Sequence, residues 1–447
     1  MNSIASAGAD LRAGRTSCAR LVGEAIESLE AWEPRLNAWI CYSAERAIQE
    51  AESLDAELRH GRDRGPLHGI PVGVKDNIAT ADFPTTSSTK VRPPGDNRYD
   101  ADAVRRLREA GAIVIGKTNL HELAMGNPYV SEVGNPFDLS HNASGSSSGT
   151  AAATAAGTIR GGLGTDSGGS IRLPSAICGV VGMKPTQGRV SLAGLLGGCY
   201  TMEHIGPITR TVDDARLFYE ALIADGNDVV ERADHPVVGL VVEMSMGDPS
   251  SAVVAAVESV AKRLTNAGAE VRETRLMGLE LLPYAAIGYA WPEISAQHQV
   301  TIRTQRSAYG DAVRPLLDLA EILSARQYLL AQRSRRYFVS KVNEAMAGVD
   351  ALLMPTTPMT AGPRFEDADT ETVVGGDSPD LFKFTRYTLP WNVAGFPAIT
   401  IPAGKDGGGL PIGAQLVTRP YREDLLFQLA RAHEERFTWT WPEIPAN

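Results

Sequence analysis

Ile70-Pro-Val-Gly-Val-Lys-Asp-Asn77 runs from an apolar stretch directly into a lysine, an aspartate and an asparagine. Bounded by Gly69 and by that polar triplet, Ile70 to Val74 reads as a short buried strand closing on Lys75. Ile113-Val-Ile115 reads as a second apolar strand, and the stretch before it, around Val104 to Ala110, is helical in pattern. A helix between two apolar strands marks a βαβ unit and a parallel sheet. The fold class expected is α/β.

Working outward, Leu21, Ile26, Leu29 and Trp32 recur at helical steps, and after Pro34 a second helical stretch carries Ala44, Ala47, Ala51, Leu54 and Leu58. Gly61 to Gly65 ends it. Beyond Val212 the pattern is mainly helical as far as Ala347, interrupted by a strand-like Val237 to Val242. Ala351 to Met354, Ala398 to Ile401 and Ile412 to Val417 then read as buried strands. With no internal repeat and no linker-like stretch, one domain is expected, with a helical N-terminal layer (about 1–65), a core (about 66–215), a variable helical region (about 216–347) and C-terminal strands and a helix (about 348–447).

The segment from Ser140 to Gly206 departs from the rest, being dominated by Gly, Ser, Ala and Thr. A flexible linker would not carry the helix-forming Ala151 to Ala156 or the core residues Ile171, Leu173, Ile177, Val180 and Val181. Close packing of small residues is the alternative.

The formal net charge of −10 argues against nucleic acid or an anionic membrane as partner. No apolar run is long enough to span a bilayer, and Met1 to Arg15 lacks a signal peptide's apolar stretch, so a cytoplasmic protein is expected. Cys18, Cys41, Cys178 and Cys199 are widely spaced and the eight histidines dispersed, so neither a metal site nor a cofactor is expected.

A serine hydroxyl needs a base to take its proton and N–H donors to meet the developing oxyanion. Gly164-Thr-Asp-Ser-Gly-Gly-Ser-Ile-Arg172 sets Ser170 behind two glycines, so the main-chain N–H groups of Ser167, Gly168, Gly169 and Ser170 are an oxyanion-hole candidate. His141 is the only histidine close in sequence, and no Gly-x-Ser-x-Gly elbow surrounds Ser170. Lysine serves as a base where burial lowers its pKa, and Lys75 ends an apolar strand. The bland reading of Lys75 is a structural cation paired with Asp76.

Ser144-Gly-Ser-Ser-Ser-Gly-Thr150, Gly164 to Arg172 and Cys178-Gly-Val-Val-Gly-Met-Lys-Pro185 resemble the Gly/Ser-rich signature of the amidase signature family. Gly69 to Asn77 resembles its lysine motif, Gly116-Lys-Thr-Asn119 the strand end that follows, and Asn392 to Pro402 with Gly413-Ala-Gln-Leu416 its C-terminal strands. The resemblance implies a single amidase-signature domain built on a twisted mixed, largely parallel sheet with helices on both faces. It also implies a Ser–cisSer–Lys triad, carried over onto Ser170 as nucleophile, Ser146 as relay in a cis peptide and Lys75 as base. The implied activity is metal-independent hydrolysis of amide-type C–N bonds through an acyl-enzyme, with carbamates and esters as further substrates.

Two departures from the family pattern stand out: Ser144 and Ser148 where Gly is common, and a shortened Ala124 to Phe137 segment. Asp166 and Arg172 read as support for the serine loop, Lys117 and Lys184 as structural, and Ser147 as either a donor to the network or a packing residue. Met125, Tyr129, Leu195, Leu196, Tyr200, Phe384, Tyr387 and Trp391 are the candidate substrate contacts and favour an apolar or aryl group. The expected partner is a small-molecule amide or carbamate, with a homodimer left open. Two alternatives stand: an amidotransferase A-type glutaminase acting with partner proteins, and a non-catalytic homologue. A phosphate cradle lacks its motif.

Overall fold

The computed structural model describes residues 3–92, 98–127, 129–223, 233–244, 249–364 and 381–444. In chain order its strands are β1 (Trp39–Tyr42), β2 (Pro71–Lys75), β3 (Ile113–Thr118), β4 (Gly134–Asn135), β5 (Asp138–Asn142), β6 (Gly161–Thr165) and β7 (Val181–Lys184). They continue with β8 (Ile205–Thr209), β9 (Val237–Met244), β10 (Glu270–Leu276), β11 (Ala351–Pro355), β12 (Ala398–Lys405) and β13 (Pro411–Thr418). Among the described residues one 11-stranded sheet has the order β1-β3-β2-β6-β8-β7-β12-β13-β11-β9-β10, while β4 and β5 pair separately.

The chain is a single α/β domain whose mixed central sheet is flanked by helices. The βαβ unit read from the sequence is present: β2 and β3 pair in parallel, Pro71 opposite Ile113 and Lys75 opposite Thr118, with helix Asp102–Glu109 between them. Parallel pairing forms two blocks, β3-β2-β6 and β11-β9-β10, and antiparallel strands β8, β7, β12 and β13 join them. The parallel order expected of the sheet therefore holds within the blocks and gives way between them. Tight turns account for part of this: β12 returns as β13 through a turn in which Asp406 Oδ1 accepts from the N–H groups of Gly408 and Leu410, and so short a connection permits only antiparallel pairing.

Strand β6, Gly161-Gly162-Leu163-Gly164-Thr165, runs against strand propensity. Close approach explains it: a Cβ on Gly162 would lie 2.4 Å from the Gly73 carbonyl oxygen and 2.9 Å from Thr150 Cγ2. Helix Ser148–Ala156, buried along its whole length, contributes Thr150 to that packing, so the small-residue segment is a dense centre and not a linker. The N-terminal layer comprises helices Ile4–Arg12, Cys18–Leu36 and Ala44–Arg59, each opened by a serine (Ser3, Ser17, Ser43) whose side chain accepts a main-chain N–H of the first turn. In the middle region helices Leu282–His298 and Ala325–Ala345 pack together around Tyr289, Phe338 and Val342.

Candidate active site

Lys75, the last residue of β2, is completely buried. Its Nζ donates to Ser146 Oγ at 2.8 Å and to Thr165 Oγ1 at 2.7 Å. Loss of hydration disfavours the ammonium, so burial pushes the Lys75 pKa down to about 7, opposed by the negative charges of Glu203 and Asp166. Asp76 is not its partner: that carboxylate pairs with Lys117, Nζ to Oδ1 at 3.0 Å, and Lys117 also donates to Thr85 Oγ1. The structural-cation part belongs to Lys117.

Ser146 is buried, and the Gly145–Ser146 peptide is cis. Just before it, Ser144 takes φ +61°, the left-handed backbone for which glycine is the usual choice, and its N–H donates to Asn142 Oδ1 at 2.7 Å. The serine in place of the family's common glycine is thus accommodated by a side-chain acceptor. Ser147 is a network donor: Oγ donates to the Thr165 carbonyl and accepts from the Thr165 N–H, while its own N–H donates to the Ser170 carbonyl at 3.2 Å. It ties the two serine segments to each other.

The Ser167–Ser170 loop is shaped by Asp166. Gly169, at φ +131°, donates its N–H to Asp166 Oδ1 at 2.8 Å, and Ile171 donates to Oδ2 at 3.2 Å. This corrects one oxyanion-hole expectation, because the Gly169 N–H is committed to Asp166 and the turn that frees its neighbours needs that bond. No bond to another described residue engages the N–H groups of Ser167, Gly168 or Ser170. Thr388 Oγ1 pins the loop from outside, donating to the Gly168 carbonyl at 2.7 Å.

Asp166 is held by Arg172, Nε to Oδ2 and Nη2 to Oδ1 both at 3.0 Å, and by Asn392 Nδ2 at 2.8 Å. Arg172 also reaches Gln415 Oε1 and Asn392 Oδ1. Burial alone would raise the Asp166 pKa, but the Arg172 guanidinium overrides it and holds the carboxyl well below the usual range. Both residues are fully buried and neither lines the cavity on which the serines open, in keeping with the supporting part expected of them. Lys184 Nζ bonds the Pro185 carbonyl and His204 Nε2, away from the serines.

Ser146, Ser167, Gly168 and Ser170 open on one cavity of about 120 Å³. Of the expected substrate contacts only Met125 lines it. Trp391 is fully buried with Nε1 bonded to the Tyr387 carbonyl, Tyr200 is 63% exposed, Tyr129 stacks edge-on against Phe384, and Leu195 packs on the core beside Ile78. Leu196, Phe384 and Tyr387 do not line it either. The apolar wall comes instead from helix Leu282–His298, through Ala286, Ile287, Ala290, Trp291 and Ile294, with Leu173, Met202 and Leu389. His121 also lines it; its ring fills the place a Cβ on Gly145 would take, and burial, followed by the Lys75 charge, lowers its pKa to about 4. The signal for the missed wall was the i, i+4, i+8 series Ala286, Ala290, Ile294 beside Ile287 and Trp291, a second apolar stripe on a helix that already has a core-facing one.

Among the described residues no group of three or more His, Cys, Asp or Glu side chains is placed to hold a metal ion, and no helix is long and apolar enough to cross a membrane.

Residues 20–427 match the Amidase family model. The A-type component of a glutamyl-tRNA(Gln) amidotransferase from Nostoc punctiforme is 34% identical over an alignment 471 positions long, which covers 95% of each chain. The crystal structure of an amidase superposes with a TM-score of 0.89 at 35% identity, covering 98% of this chain and 100% of that one. A peptide amidase in complex with the competitive inhibitor chymostatin gives 0.82 at 30% identity over 97% of each chain. A match this long, in sequence and in structure, shows that the chain belongs to the amidase family.

Proposed function

We propose that this chain is a serine amidohydrolase that cleaves amide C–N bonds of small, uncharged substrates, with Ser170 as nucleophile, Ser146 as relay and Lys75 as base. One observation carries the reading. A fully buried lysine, with a pKa near 7, bonds at 2.8 Å to a serine hydroxyl that shares a cavity with Ser170. A base works best when its pKa lies near the working pH, and a lysine with the usual value of 10.5 would be protonated at neutrality.

In the first half-reaction the Ser146 hydroxyl proton passes to Lys75 Nζ, the Ser170 proton passes to Ser146, and Ser170 Oγ bonds the carbonyl carbon. The free N–H groups of Ser167, Gly168 and Ser170 are the candidate donors to the oxyanion. As the C–N bond breaks, the proton returns through Ser146 to the leaving nitrogen. Water repeats the sequence to release the acid. Carbamates and esters reach a similar tetrahedral intermediate at the same groups.

The second reading is an amidotransferase A-type glutaminase, favoured by the 34% identity to the Nostoc punctiforme protein. Recognition of free glutamine calls for charged partners to its ammonium and carboxylate. Among the described residues the cavity lining holds no Asp, Glu, Lys or Arg, which favours the uncharged substrate. The test is a panel of anilides, primary amides, carbamates and nitrophenyl esters given to the isolated chain, beside glutamine with and without added amidotransferase partner proteins. Hydrolysis of the panel by the chain alone supports the first reading. Glutamine turnover that appears only with partners overturns it.

A further inference from the structure

Glu203 lies on the segment between the cavity-lining Met202 and strand β8 and is 2% exposed. No side chain of a described residue donates to either of its carboxylate oxygens, and of hydrogen-bond donors only the main-chain N–H groups of Cys199 and His204 act on it. An isolated carboxylate in that setting is costly unless a charge nearby compensates it. The chain of contacts shows which charge that is. Lys75 Nζ bonds Thr165 Oγ1; the next residue, Asp166, donates its N–H to the His204 carbonyl at 2.9 Å; and Glu203 immediately precedes His204. Glu203 and Lys75 thus lie in one buried corner beside Thr165, close enough for their charges to act on each other.

We propose that Glu203 is a positioning residue, the counter-charge of the Lys75 ammonium, which stabilises the proton that Lys75 receives while Ser170 attacks. The proposal rests on the assignment of Lys75 as base. When the Ser146 O–H bond breaks and the Nζ–H bond forms, a positive charge appears on a fully buried group. Asp166 cannot balance it alone, because its carboxylate is already held by Arg172 and Asn392. Among the described residues no cation other than Lys75 acts on the Glu203 carboxylate.

Every charged or titratable group around the pair takes part in the balance. Lys75 faces Glu203 from β2, and Asp166 faces both, backed by Arg172 and by Lys184 from β7. Cys199 and the neutral His204 flank Glu203 on its own segment, and His121, which lines the cavity, feels the Lys75 charge. Only Glu203 and Asp166 raise the Lys75 pKa against the burial that lowers it, and burial raises Glu203 itself to about 7.

The experiment is the pH dependence of kcat/KM for the full chain and its Glu203→Gln and Glu203→Asp variants. Lys75 must be neutral to act, so activity falls as pH drops through its pKa. Glu203→Gln removes the counter-charge and should move that acid limb down by about one pH unit or more, while lowering the plateau about tenfold because the base is weaker. Glu203→Asp should restore both in large part. A Gln variant that loses rate with an unmoved limb marks Glu203 as a packing residue and overturns the proposal. Should the Gln variant be inactive, competitive acylation of Lys75 against pH in a Ser170→Ala background reads the same shift, and an unchanged titration there overturns it too. Failure of the underlying assignment looks different: Lys75→Ala would keep near-normal rates at pH 7 whatever stands at position 203.

Discussion

Replacing Arg172 with methionine tests how the serine loop is held. The guanidinium makes two bonds to Asp166 and one each to Gln415 and Asn392, with no solvent contact. Methionine fills much of the space and takes the charge away, leaving Asp166 buried with only Asn392 and main-chain N–H groups. Breaking one partner of a buried ion pair costs about 3–5 kcal/mol. The unfolding entropy of a chain of 447 residues is about 0.9 kcal/mol per kelvin, taking about 2.1 cal/mol/K per residue, so the expected loss in Tm is about 3–5 °C. Calorimetry at pH 7 reads it. The pH dependence gives a second check. In the native chain the Asp166 carboxyl is held far below its unfolded value, so its contribution to stability is fully present above about pH 4 and is lost only as pH falls further. Without Arg172 that contribution shrinks at neutral pH, and the difference between variant and native Tm should narrow on acidification. A Tm within 1 °C of native at pH 7 would refute the claim that this pair fastens the loop.

Ser170→Ala should abolish turnover with Tm unchanged, and Lys75→Ala should lower kcat by about 10²–10⁴-fold, the range for removal of a general base, as read by initial rates at pH 7. Trp291→Ala enlarges the cavity at its apolar wall and should raise kcat/KM for bulkier acyl or aryl amides relative to small ones by about 10–200-fold, with the pH profile unmoved. Glu293→Ala removes the acceptor for Cys199 Sγ and for the Thr201 N–H and hydroxyl, the bonds that tie helix Leu282–His298 to the 199–203 segment, and for the Tyr328 hydroxyl of helix Ala325–Ala345. Its expected effect is a raised KM, measured with the best substrate of the panel. Chelator added to the native enzyme should leave kcat/KM unchanged within twofold.

What could be read in advance followed from local pattern. Lys75 sits at the end of five apolar residues, and a strand's exit is fixed by its own sequence, so the βαβ unit and the buried amine were both legible. Strand β6 was not, because its glycines carry no propensity and their reason for being there is the Gly73 carbonyl 2.4 Å from a would-be Cβ. The cavity was legible only in kind. Apolar residues near the serine motif in sequence were chosen, but direction on a helix decides what they touch. Leu389 and Trp391 are two residues apart on helix Leu389–Ala394, hence about 200° apart around its axis; the first lines the cavity and the second is sunk in the core. The opposite wall comes from Ala286 to Ile294, more than a hundred residues beyond Ser170, and no local pattern states which helix will face which loop.

The choice among lysines shows where sequence and structure divide the work. Lys75, Lys117 and Lys184 are all buried completely, and burial lowers the pKa of each, so neither burial nor depressed basicity singles out a base. Their partners do. Lys117 is bonded to a carboxylate and a threonine, which favours its charged form and leaves it nothing to relay. Lys184 is bonded to a carbonyl and to an imidazole that faces the Asp166 carbonyl rather than the cavity. Lys75 alone of the three bonds two hydroxyls, one of which opens on the cavity shared with Ser170. A proton leaving Ser146 has an acceptor already in place at 2.8 Å, and neither of the other two amines meets a hydroxyl on that cavity.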